Sequence, residues 1–372
     1  MLYARELHEP LTETPWSEAR ARDGMQALVA DAERAYSPDV LWPADEWDGY
    51  QAALPLKKLY VGAAGVAWAL QRLRTRGCES ALDLHAVAQR ALELFRTAPD
   101  YVESEILPAQ KRSGLLGGET GIALVAWQLG PTDSLEAELL DLVRGNLENP
   151  ANELMWGVPG TLLAARALHR RTGAAAWAEA VSAGEDALRA EREPDGLWTQ
   201  RLWGETWRGL SPIHGLVGNV VALGEIGNAG EILRDRATTE GTHTNWGGNQ
   251  KLQWCDGAPG IVAHAATYLD EELLIGAAQL IWDAGPPGDE KGAGICHGTS
   301  GNGYALLKTF ERTGDERWLG RARAFAMHAL EQAERLPARY SLFTGSIGAA
   351  VFAADCIDGR ARFPVLDSLE PE

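Results

Sequence analysis

The 372-residue sequence predicts an all-α fold arranged as a closed α/α toroid, with inner helices lining the middle and outer helices facing solvent. Three observations predict it. A Gly-x-x-Gly tetrad recurs seven times, with first glycines at 62, 118, 157, 215, 257, 298 and 345, a period of roughly 40 to 58 residues. Each tetrad opens a run of ten or so small and aliphatic residues with hardly a charge, as a helix buried on most sides requires. Between these runs lie stretches whose apolar residues return every three or four positions among charges, and strand signals are sparse.

Residues 1–50 read as a lead-in and first outer helix, within a single domain spanning 1–372. The inner helices then begin in turn at "VGAAGVAWAL" (61–70), "GGETGIALVAWQL" (117–129), "WGVPGTLLAARAL" (156–168) and "HGLVGNVVALGEI" (214–226). "CDGAPGIVAHAATYL" (255–269), "CHGTSGNGYALLKTF" (296–310) and "FTGSIGAAVFAADCI" (343–357) complete the series. Stretches such as "SALDLHAVAQRALELFR" (80–96), "AAAWAEAVSAGEDALRAER" (174–192) and "RWLGRARAFAMHALEQAERL" (317–336) have the amphipathic pattern of outer helices. Glycine at each helix start is expected to permit positive φ and close backbone approach, leaving the first N–H groups uncovered and aimed at a central opening. Such an opening would favour an anion.

A formal charge of −18 with no concentrated basic segment argues against nucleic acid and against an anionic membrane surface. The N-terminal stretch lacks a secretory apolar run and no segment reaches eighteen uninterrupted apolar residues, so a cytoplasmic protein is expected. Cys78, Cys255, Cys296 and Cys356 are widely spaced, which makes a disulfide framework improbable. Cys78, in the loop "LRTRGCES", and Cys356, in the last inner helix, read as structural.

Three repeats carry a thiol or imidazole just ahead of the tetrad: His214, Cys255, and Cys296 with His297. Two thiolates and one imidazole would give Zn²⁺ three protein ligands and leave one position for water or substrate. Two buried cysteines and a capping histidine would satisfy the same spacing, and no Cys-x-x-Cys pair decides between them.

The Trp-Cys-x-Gly-x-Pro-Gly of "WCDGAPG", the "CHGTSGNG", the "YSLFTGSIGAA" at 340–350 and the "ARFP" at 361–364 resemble the lanthionine synthetase C-like (LanC-like) proteins across nearly the whole chain. The resemblance implies seven inner and seven outer helices and Zn²⁺ held by Cys255, Cys296 and His297. It implies addition of a thiol, either a peptide cysteine or glutathione, to dehydroalanine or dehydrobutyrine in a peptide or protein, giving a thioether. No dehydratase-length region precedes the repeats, and "NELMWG" carries Glu153 where nisin-type cyclases carry Asp; both features lean toward the stand-alone branch.

By the same resemblance His214, in "PIHGLVG", would be the acid or base, Glu153 would orient it or handle a proton, and Lys251 stands where cyclases have arginine. Asn302 is a candidate to orient His297, and helix N-termini are candidates to stabilise an enolate. Two other classes compete. One is a zinc-bearing protein that binds glutathione or another thiol without chemistry. The other is a carbohydrate-active toroid using carboxylates such as Glu119, Glu153 and Asp256, for which the cysteines would be superfluous.

Overall fold

A computed structural model describes residues 1–50, 52–101, 112–202 and 204–370. Its fourteen α-helices among the described residues alternate between two layers. The inner layer is α2 (Ala63–Thr75), α4 (Glu119–Leu129), α6 (Val158–Thr172), α8 (Leu216–Leu223), α10 (Ala258–Ala265), α12 (Thr299–Thr313) and α14 (Ser346–Asp358). The outer layer is α1 (Glu18–Ala35), α3 (Leu84–Thr97), α5 (Asp133–Arg144), α7 (Ala175–Ala190), α9 (Ala229–Arg236), α11 (Glu271–Ala284) and α13 (Glu316–Arg335). Each inner helix packs on the next, and α14 returns to α2, which closes the toroid. No helix among the described residues is long and apolar enough to cross a membrane.

The two layers begin their helices by different means. Ser17, Asp83, Thr132 and Asp315 cap four outer helices through side-chain oxygens, whereas all seven inner helices start at a glycine with no side-chain cap. Positive φ is not the general reason for glycine there, contrary to the sequence expectation: among the seven N-caps only Gly257 lies in that region, at φ +108°. Close approach is the reason. At the second glycine of every tetrad a Cβ would overlap the carbonyl oxygen six residues earlier, Leu59 for Gly65 through Leu342 for Gly348.

Five of the seven helix starts that were expected to be bare are covered, mostly by the same fold-back. The N–H groups of Ala63, Ala64, Leu216, Val217, Thr299, Ser300 and Ser346 each donate to the carbonyl seven residues back, and Ala258 N–H donates to Asn245 Oδ1. These N–H groups are therefore already satisfied, and an anion would have to displace a backbone bond to use them.

Successive turns are also tied to each other, two or three residues before each first glycine. Tyr60 N–H donates to Leu116 O, Leu116 to Met155, Leu154 to Ile213, Cys255 to Cys296, Cys296 to Phe343 and Phe343 back to Tyr60. Among the described residues no such bond joins Ile213 to Cys255. Two antiparallel hairpins, β1–β2 (Gln200–Leu202, Glu205–Trp207) and β3–β4 (Thr238–Glu240, His243–Asn245), precede the tetrads on either side of that interval.

The "ARFP" segment plugs the ring. Phe363 stacks on Trp254 at 5.0 Å and packs edge-on against His264, and Trp68 Nε1–H donates to Leu369 O. The buried Arg72 guanidinium donates to Asp355 Oδ1 at 3.0 Å, joining the first inner helix to the last.

Candidate active site

The belt of turns puts residues from distant repeats at equivalent stations. Tyr60, Leu116, Met155, Ile213, Cys255, Cys296 and Phe343 all stand two places before a first glycine, and His214 and His297 stand one place before. Cys255 and Cys296 are therefore neighbours on the ring, bonded through their backbones. Their sulfurs and a ring nitrogen of His297 lie within 4.8 Å of one another, a group able to hold a metal ion. The donor set fits Zn²⁺: tetrahedral bonding at the usual Zn–S and Zn–N lengths separates S and N ligands by about 3.6 Å. Here Cys296 Sγ and His297 Nε2 are 3.7 Å apart.

A hydrogen bond from Cys296 holds the Cys255 thiol well below its usual range, helped by His297 and Gln253, whereas burial pushes Cys296 well above. Tyr60 Oη–H donates to Cys296 Sγ at 2.7 Å and Gln253 Nε2–H to Cys255 Sγ at 2.9 Å. The indole of Trp47 meets the His297 ring edge-on, with centroids 5.0 Å apart.

The interval without a belt bond is where a cavity of about 550 Å³ opens. Cys255, Asp256 and Gly257 line one bank, His214 and Ser211 the other, with Trp207, Arg208, Arg236 and Trp246 around them. On the His214 bank, Nδ1 lies 2.8 Å from Glu153 Oε2. Glu153 is fully buried and also accepts the N–H groups of Met155 and Trp156, so its oxygens are fixed before they meet the imidazole.

Other sequence candidates fall elsewhere. Lys251 is half exposed and pairs with Asp256 at 3.3 Å on the rim. Asn302 does not reach His297: its Nδ2 donates to Leu252 O, bracing the turn that carries Cys255. Glu119 is clamped between Arg96 and Arg112, Glu153 holds His214 and Asp256 pairs with Lys251, so each of the three carboxylates serves its own partners and none is paired with another. Cys78 and Cys356 are buried away from the cluster. His264 is buried and accepts from Trp254 Nε1, a core role.

Tyr60, Gln253 and Trp47 were not singled out from the sequence. Tyr60 was detectable, because it occupies the same tetrad offset as the two cysteines.

Comparison with known proteins places the chain in a family and a fold. Part of the chain is 34% identical over 130 residues to glutathione S-transferase LANCL1 of Danio rerio, covering 31% of each chain. It is 28% identical over 153 residues to LanC-like protein GCL1 of Arabidopsis thaliana, covering 36% of this chain and 35% of that one. Each match thus spans about a third of the curated relative. Nisin cyclase superposes with a TM-score of 0.57 at 14% identity, covering 91% of this chain and 94% of its own, which shows the shared α/α toroid. The profile of the lanthionine synthetase C-like protein family matches residues 57–367, from the first inner turn to the C-terminal plug, and the chain belongs to that family.

Proposed function

We propose that this protein adds a thiol to a dehydroalanine or dehydrobutyrine residue of a peptide or protein, forming a thioether, with Zn²⁺ held by Cys255, Cys296 and His297. One observation carries the reading: the cavity at the open interval of the belt has a ligand sulfur on one bank and an imidazole–carboxylate pair on the other. The names of two similar proteins, a glutathione S-transferase and nisin cyclase, support glutathione and a peptide cysteine as donors. Arg236 on the cavity wall suits a donor bearing carboxylates, as glutathione does, whereas Arg208 is already paired with Asp195 and Glu193.

When bound, Zn²⁺ supplies a lowered thiol pKa at neutral pH. The remaining work belongs to the chain. Glu153 accepts from Nδ1–H of His214, which fixes the tautomer and leaves Nε2 to take the thiol proton. The sulfur forms a bond to the β-carbon, the alkene pair moves toward the amide oxygen, and the proton returns from Nε2 to the α-carbon. Glu153 stabilises the transient imidazolium, as a buried carboxylate can without leaving its own hydrogen bonds. Lys251 takes no part in this sequence, because its ammonium is committed to Asp256 on the rim.

The test is mass spectrometry of a dehydroalanine peptide incubated with glutathione and zinc-replete protein, beside a metal-free control. The adduct should form faster than in the control; a cyclase proper would favour a cysteine in the same peptide. Glutathione that binds but reacts no faster than in the control would replace this reading with a thiol-binding protein.

A further inference from the structure

Each sulfur of the cluster receives one hydrogen bond from a neutral side chain that does not line the cavity. Gln253 Nε2–H donates to Cys255 Sγ at 2.9 Å from a turn closed by Gln253 N–H to Asp256 O. Tyr60 reaches past one station of the ring, stacked on Phe343 at 5.1 Å, to place its hydroxyl 2.7 Å from Cys296 Sγ. A phenol is protonated at neutral pH, so Tyr60 can donate to the sulfur.

The arrangement answers a hazard built into the site. Cys255 lines the cavity and is only half buried, so an electron-poor alkene brought there meets a protein sulfur as well as the donor's. Attack by Cys255 would form an S–C bond at the β-carbon, send the alkene pair to the α-carbon, take one proton there and leave the ligand permanently capped. We propose that Gln253 and Tyr60 are positioning residues that hold down the nucleophilicity of the two cysteine sulfurs and so protect them from alkylation. A hydrogen bond into a thiolate engages the lone pair that would attack, while leaving another free to bind metal. The inference rests on the reading of this cluster as a metal site, but not on turnover.

The experiment uses N-ethylmaleimide, an alkene electrophile that needs no turnover, on the zinc-replete full chain, with labelling of each cysteine followed by peptide mapping. Gln253→Leu should raise the alkylation rate of Cys255 about tenfold, the scale expected for losing one hydrogen bond to the attacking sulfur. The buried Cys78 and Cys356 serve as internal references. Cys296 is 1% exposed, so Tyr60→Phe is read instead through the Co²⁺-substituted protein, whose sulfur-to-metal absorption should move to longer wavelength as the sulfur becomes more electron-rich. Labelling of Cys255 within twofold of the unaltered protein, or an unmoved cobalt band, would overturn the proposal. So would loss of metal from either variant at saturating zinc, because the donors would then be holding the site together. A protein that fails to add glutathione can still pass, which separates this test from that of the proposed function.

Discussion

Six intervals of the inner belt are closed by backbone hydrogen bonds, and the seventh, from Ile213 to Cys255, is not joined by one among the described residues. On the closed side the stations two before the glycine include Leu116 and Met155, which pack against the core. At the open interval the flanking stations carry His214 and Cys255, and the cavity lies between them. The backbone treats Leu116 and Cys296 alike, each donating to the next station. A ring of equivalent turns can therefore hold either a packing side chain or a potential metal ligand at one offset, and a cavity opens where the belt does.

The largest expected effect breaks the metal side of that contrast. Cys296→Ala should leave far less than one equivalent of zinc after metal reconstitution, measured by elemental analysis, with the helical circular dichroism retained. The equivalent change at a station that carries a packing side chain should act on stability alone. Leu116 is fully buried, and Leu116→Ala should lower unfolding free energy by about 2–5 kcal/mol in denaturant titration while zinc stays bound. Equal zinc loss in both variants would show that the stations are not independent and that the metal depends on ring packing.

Across the gap, His214→Asn should reduce kcat/KM for thiol addition by about 10²-fold or more with zinc content unchanged. His214 belongs to a different turn from all three ligand candidates, so the metal should not notice its loss. A variant retaining the full rate would assign the proton to another group on that bank.

Much of this was legible in the sequence because it is local. Seven tetrads mark seven inner helices, and the offset of Cys255, Cys296 and His297 from their glycines places them on adjacent turns. What the sequence hid is non-local. Tyr60 and Cys296 meet across 236 residues of chain, and nothing near Tyr60 announces a sulfur partner. Two hairpins precede the turns at His214 and Cys255 on either side of the open interval, and no periodicity of the sequence encodes that gap. At four inner helices the N-termini expected to be bare proved covered, because the same chain reversal that demands glycine also delivers a carbonyl to the first N–H groups.

That last point sets the smallest prediction, which separates glycines the ring needs from one it does not. Gly121, at the start of α4, could not carry a Cβ without overlapping the Leu115 carbonyl and crowding Leu59. Gly320 lies within outer helix α13, exposed, with nothing within 4 Å of where its Cβ would stand. Glycine in a helix interior forfeits about 0.5–1 kcal/mol relative to alanine, through the freedom it has when unfolded. Gly320→Ala should therefore raise unfolding free energy by about that amount, without touching zinc or rate. Gly121→Ala should lower it by about 1–3 kcal/mol, as overpacking does. If both changes destabilise alike, close approach is not what selects glycine at the inner turns, and the belt itself must be more yielding than its hydrogen bonds suggest.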